Sequence, residues 1–171
     1  MSLLRDGALA EDPWVAVDDD APLPAAGTPI VSLARWQRER DILRARNGAL
    51  GVRLPNAASV AAIADDLDRL ALVALEFPKF NDGRAFSQAR QLRERYGYGG
   101  EVRATGQVLR DQLLFMTRCG FDAFEIAKGD PVAAWADALA EFTVFYQPTG
   151  DGRLSALHQR LQLRHSESAG L

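Results

Sequence analysis

From Leu50 onward, five short apolar runs alternate with four segments of helical character. That alternation limits the fold more tightly than any other feature of the chain. The runs lie near 50–54, 72–77, 101–105, 123–126 and 143–146. Between them, apolar spacing and end signals predict helices near 59–70, 83–96, 108–119 and 131–142. The first helix is the clearest, with Val60, Ile63, Ala64, Leu67 and Leu70 on one stripe. The last opens on Asp130 as cap and Pro131 at the first helical position. Four β-α repeats closed by a fifth strand predict an α/β fold with a mainly parallel sheet, because antiparallel neighbours would need only hairpins. Right-handed crossovers then leave two arrangements. Sequential strand order puts every helix on one face, so the other face must be covered by another segment or a second copy, or curl in as a partial barrel. Reversed order covers both faces and opens a ligand crevice at the switch point. The expectation is a partial barrel or an open sheet, with the order left open.

The flanks read differently. Residues 1–30 carry four of the eight prolines and the run Asp18-Asp19-Asp20. They predict an extended, partly disordered arm with one short strand over 14–17. Ser32 caps a helix expected to run to about Arg46, with Leu33, Trp36 and Leu43 inward and Gly48 at its end. Residues 31–148 form the expected single domain, and 149–171 a turn and tail with a short helix over 154–164. His158 and His165 in that tail have no third ligand nearby and read as solvent-exposed, so no metal site is expected.

Composition excludes several classes. A net charge of −3 over 171 residues offers no basic field for nucleic acid. No apolar run is long enough to cross a membrane, and the N-terminus lacks the pattern of a secretion signal. Cys119, the single cysteine, makes neither an intrachain disulfide nor a cluster site. A cytoplasmic protein is expected. No dinucleotide fingerprint, phosphate loop or nucleophile elbow is present, so no cofactor is evident in the sequence.

Parallel α/β sheets bind ligands beyond the carboxyl ends of their strands. That rule selects Pro55 and Asn56 after the first strand, and Lys128 and Asp130 after the fourth. The loops after the second and third are richer: Lys79, Asn81, Asp82, Gly83 and Arg84 in one, Gln107, Arg110 and Asp111 in the other. Arg84 and Arg110 each fall in the expected first turn of a helix, where a cation opposes the dipole. Two readings follow. Either an anion sits between them, with Lys79 adding charge, or Asp82 and Asp111 neutralise them locally. Glu76 and Glu125 interrupt otherwise apolar strands. They are candidates for a general acid/base pair if they face one pocket. The other reading pairs them with Arg53 or Arg103 on neighbouring strands.

The run Glu76-Phe77-Pro78-Lys79-Phe80-Asn81-Asp82-Gly83-Arg84 is followed by Ser87-Gln88-Ala89-Arg90 and Leu92-Arg93. A second run, Gly106-Gln107-Val108-Leu109-Arg110-Asp111-Gln112, precedes Cys119-Gly120-Phe121-Asp122. Together they resemble a bacterial family of unknown function labelled as oxidoreductases of sulfite reduction, over about residues 30–148. The resemblance implies a role in sulfur assimilation beside sulfite reductase, as an accessory or small-anion-binding component. Alternatives are a small α/β oxidoreductase of the same pathway, and a lyase or isomerase acting on an anionic metabolite. The resemblance supplies no catalytic residue. Sulfite reductase, a small anion and a second copy of the chain are the partners considered.

Overall fold

In the computed structural model, residues 2–127, 129–141, 144–146, 148–149 and 151–161 are described. Eight strands form one sheet: β1 (Ser2–Arg5), β2 (Ala8–Ala10), β3 (Trp14–Ala16), β4 (Thr28–Ser32), β5 (Gly51–Leu54), β6 (Leu72–Phe77), β7 (Glu101–Gly106) and β8 (Ala123–Ile126). Their order is β2-β1-β8-β7-β6-β5-β4-β3. From β3 to β8 the order is sequential and every pairing is parallel. β1 and β2 add as an antiparallel hairpin on the free edge of β8.

The helices are α1 (Leu33–Arg38), α2 (Arg40–Ala45), α3 (Arg84–Arg90), α4 (Leu113–Arg118) and α5 (Pro131–Ala140). Ser32 caps α1 by accepting from Arg35 N–H, and Asp130 caps α5 by accepting from Val132 and Ala133 N–H. The principal core lies between the helices and one sheet face. There Val52, Leu54, Val73, Leu75, Phe77, Val102, Ala104 and Phe124 meet Trp36, Ile63, Ala89, Leu92, Leu113 and Met116. Sequential order thus places all the helices on one side. No helix among the described residues is long and apolar enough to cross a membrane.

The edges of the sheet are tied together by the chain itself. Ala10 ends β2 at one edge and Trp14 opens β3 at the other. Four Cα steps of 3.8 Å span at most about 15 Å. A flat sheet of this order would hold its edges roughly 34 Å apart, from seven spacings of about 4.8 Å. The sheet therefore curls into a partial barrel, with the segment between β2 and β3 crossing its concave side.

Four expectations are corrected. The segment read as an arm has its expected short strand as β3, and also holds β1, β2 and most of β4, all within the sheet. Residues 59–70 form two 3₁₀ turns, Val60–Ala62 and Ala64–Asp66, in place of an α-helix. Tertiary bonding overrides propensity here. The Asp66 carboxylate turns inward to accept from Trp36 Nε1 at 2.9 Å and from Arg40 Nε and Nη2, with Arg44 as a further partner. A 3₁₀ turn aligns residues three apart, so Val60 and Ile63 still share the buried face. The helix expected from residue 108 begins as a 3₁₀ turn at Arg110–Gln112, and α4 follows only at Leu113. The fifth strand of the repeat is not in the sheet over Val144–Tyr146, where Phe145 makes one isolated bridge to Ser155. β1 already occupies the edge of β8 that such a strand would extend. Thr143, Lys128 and His165 lie outside the described residues. Residues 156–161 are helical, within the short helix expected in the tail.

Asp66 also sets a pH dependence. Burial works to raise its pKa, but hydrogen bonds from Arg40, Trp36 and Arg44 outweigh burial and hold it below its ordinary 3.8. Asp151 shifts in the same direction, burial acting to raise it and the hydrogen bonds from Arg118 and the Arg153 N–H outweighing burial. A depressed folded-state pKa contributes stability that is present above the unfolded value and lost as pH falls through the folded one. Denaturant midpoints should therefore fall steadily once pH drops below about 4. Asp66→Asn should flatten that fall, and a slope identical to wild type would show that Asp66 takes no part.

Candidate functional site

Side chains alternate across a strand, so the face opposite the helical core carries every second residue of β5 to β8. On β5 these are Gly51 and Arg53, on β6 Leu72, Ala74 and Glu76, on β7 Glu101, Arg103 and Thr105, and on β8 Ala123 and Glu125. Register aligns them across the sheet. Gly51 pairs with Leu72 and Leu72 with Glu101; Arg53 pairs with Ala74, Ala74 with Arg103 and Arg103 with Ala123; Glu76 pairs with Thr105. The amino-terminal half of the concave face is closed by Ile30, Leu72, Ala74 and Trp14, a small apolar floor separate from the main core. Glu101 opens β7 and Arg103 lies mid-strand, while Glu76 and Glu125 lie toward the carboxyl ends.

A cavity of about 330 Å³ fills this concavity, lined among others by Asp12, Trp14, Arg53, Ala74, Arg103, Thr105 and Glu125. A second, of about 320 Å³, lies at the carboxyl mouth between Arg53, Glu76, Pro78, Thr105, Gly106 and Glu125. Arg53, Thr105 and Glu125 belong to both, so the two form one continuous site. At its rim Gly106 has φ +89°, and a Cβ there would stand 2.5 Å from the carbonyl oxygen of Phe77. Only glycine fits where β7 leaves the sheet so close to β6.

Arg103 organises the interior. Its side chain is 0% exposed. It donates to both carboxylate oxygens of Asp12 at 2.8 and 3.0 Å and to Glu101 at 2.8 Å, and reaches Glu125 at 3.5 Å. Burial works to lower its pKa, but the bonds to Asp12 and Glu101 outweigh that and hold it charged. Glu101 also pairs with Arg5 on β1. Asp12 belongs to the segment joining β2 to β3, so one salt bridge fastens that segment across the barrel.

Arg53 is placed differently. Its side chain is 45% exposed, and Glu76 lies 3.8 Å away, beyond hydrogen-bond reach. Glu76 and Glu125 therefore face one cavity, and each also has an arginine beside it. The shared cavity and the neighbouring arginines weighed from the sequence are thus both present. Thr105 stands between the two carboxylates and donates its hydroxyl to the Leu75 carbonyl at 3.3 Å.

The rim residues are held together in another way. The loops after β6 and β7 bind each other: Phe80 N–H donates to Gln107 at 3.1 Å, and Gln112 donates to the Phe80 carbonyl at 2.8 Å. Arg84 forms a fork with Asp82, at 2.9 and 2.6 Å. That bond, above burial and the other partners, holds the Asp82 carboxyl far below the usual carboxylate range. Arg110 points toward Asp137 on α5, 3.7 Å away, rather than toward Asp111. Lys79, Asn81, Gly83 and Asp111 are exposed at the same rim. Arg84 thus has the local counter-charge weighed from the sequence, while Arg110 takes its partner from another helix.

Asp12 and Thr105 were not legible as site residues. Thr105 carried one signal, its period-two spacing from Glu101 and Arg103 on a strand whose intervening residues, Val102 and Ala104, are apolar. Asp12 carried none, since nothing in the sequence places residue 12 opposite residue 103.

A family model described as "Bacterial protein of unknown function (DUF934)" matches residues 51–157. The chain belongs to this family. The DUF934 region opens at β5 and takes in Arg53, Glu76, Arg103, Thr105 and Glu125, whereas Asp12 comes from outside it. The DUF934 region thus supplies Arg53, Arg103, Thr105 and Glu125 of the cavity wall, and the preceding segment supplies the clasp together with Trp14 and Ile30 of the floor. No curated protein matches the chain.

Proposed function

We propose that the chain binds a small anionic metabolite in the concave cavity, and that it serves sulfite reduction as an accessory, anion-binding component. The observation behind the binding site is Arg53. It is a half-exposed guanidinium at the carboxyl mouth of a parallel sheet, with its nearest carboxylate at 3.8 Å. Arg84 and Arg103, by contrast, are engaged in forks with Asp82 and Asp12. A guanidinium that is not saturated is suited to recognise a carboxylate or an oxyanion. The pathway enters through the family resemblance of the two runs after β6 and β7, and sulfite reductase is the partner it implies.

The test is calorimetric titration with sulfite, sulfate, phosphate and short carboxylates with and without an α-amino group. At least one should bind wild type, and Arg53→Gln should weaken it by about tenfold or more, the worth of one charge-assisted hydrogen bond. No heat with any of them in the wild type would overturn the binding role. Co-purification with sulfite reductase tests the partner separately.

A second reading has an observation of its own. Glu76 and Glu125 flank Thr105 in one cavity, an arrangement suited to moving protons on a bound substrate. It supports a lyase or isomerase acting on the same anionic ligand.

A further inference from the structure

The groups around Arg53 narrow the ligand further. Arg103 is saturated by Asp12 and Glu101, so it adds little positive charge for a guest. What remains at the mouth is one guanidinium (Arg53), two carboxylates (Glu76 and Glu125) and the Thr105 hydroxyl. A compact dianion drawn to Arg53 would lie beside two negative groups with one cation to hold it. Like charges at that range repel appreciably wherever water is thinned. A ligand carrying one negative and one positive group meets neither penalty.

Spacing supports the same conclusion. Glu76 pairs across to Thr105, and the adjacent pair Ala104–Phe124 carries the register on to Glu125. The two glutamates therefore sit two strand spacings apart, roughly 10 Å between Cα atoms. Glu76 lies 3.8 Å from Arg53 and Glu125 3.5 Å from Arg103, and the cavity they share with Thr105 has room between them for one small cationic head. Arg53 stands beyond Glu76 on the next strand. The floor of Ala74, Ile30 and Trp14 is apolar, and the inner cavity of about 330 Å³ lies at the small end of the range for ligand sites.

We infer that the ligand is a small α-amino acid, with its carboxylate on Arg53, its ammonium group between Glu76 and Glu125, and a short side chain toward the floor. The inference rests on the anion-binding reading of this cavity and specifies the ligand class within it.

Thermal-shift and calorimetric titrations with L-serine, L-alanine, propionate and sulfate test it on the full chain. L-serine or L-alanine should bind at least tenfold more tightly than propionate, which lacks the ammonium group, and more tightly than sulfate. Glu125→Gln should remove most of that preference while leaving propionate binding unchanged or improved. Glu76→Gln, which lies farther from Arg103, repeats the test should Glu125→Gln fold poorly. Propionate or sulfate binding as tightly as the amino acids would overturn the inference and leave the anion site standing, as would an unchanged preference in the glutamine variants. Absence of binding by every probe would remove both.

Discussion

Arg103→Met should destabilise the fold by about 3–5 kcal/mol, the magnitude expected when one partner of a buried ion pair is removed. Methionine fills much of the same volume, so the loss would reflect charge rather than a cavity. Asp12 and Glu125 would lose the cation beside them on the concave side, and Glu101 would keep only Arg5. Asp12→Asn should cost less, because its side chain retains 36% exposure and can recover water. Urea denaturation of both variants measures the difference. A loss below about 1 kcal/mol for Arg103→Met, the range of a surface pair, would show that the clasp contributes little.

Trp36→Ala should be comparably damaging, at about 3–5 kcal/mol, since the ring is completely buried between α1 and the 3₁₀ turns. The change also removes the Nε1–H donor to Asp66, itself 2% exposed. Arg40 and Arg44 would still bind that carboxylate, so most of the loss should come from packing. Trp36→Phe separates the two contributions: it keeps much of the ring volume and loses the hydrogen bond. Denaturation midpoints should rank wild type, Trp36→Phe and Trp36→Ala in falling order. Equal losses for the two variants would make the hydrogen bond the dominant contribution instead.

Much of the β-α framework was legible because it depends on local patterning. β5 to β8 lie on the apolar runs, α3 lies within its expected helical segment, and α5 opens on its cap and N1 proline, Asp130 and Pro131. The segment over 59–70 failed the same test for a physical reason. Its apolar spacing suits an α-helix and a 3₁₀ pair almost equally, and the decision fell to Asp66, whose partners lie 22 to 30 residues away. The site divided in the same way. Glu76 and Glu125 were visible as carboxylates inside apolar strands, and Arg53 and Arg103 as their possible neighbours. Arg84 drew attention through its helix position, and its counter-charge proved to be two residues away.

By itself the sequence determined the repeating unit, the parallel sense of the central strands and the presence of a carboxylate inside each of two apolar strands, because each follows from the local order of residues. Tertiary structure decided the order of the strands, the capture of β8 by β1, and the closing of the sheet by Asp12 on Arg103. Those depend on which edges meet, and a chain's local pattern carries no record of a contact between residues 91 positions apart. The short connection from β2 to β3 leaves the two edges no room to separate. That constraint, acting on charged residues of one parity, gathered four strands' side chains into one cavity.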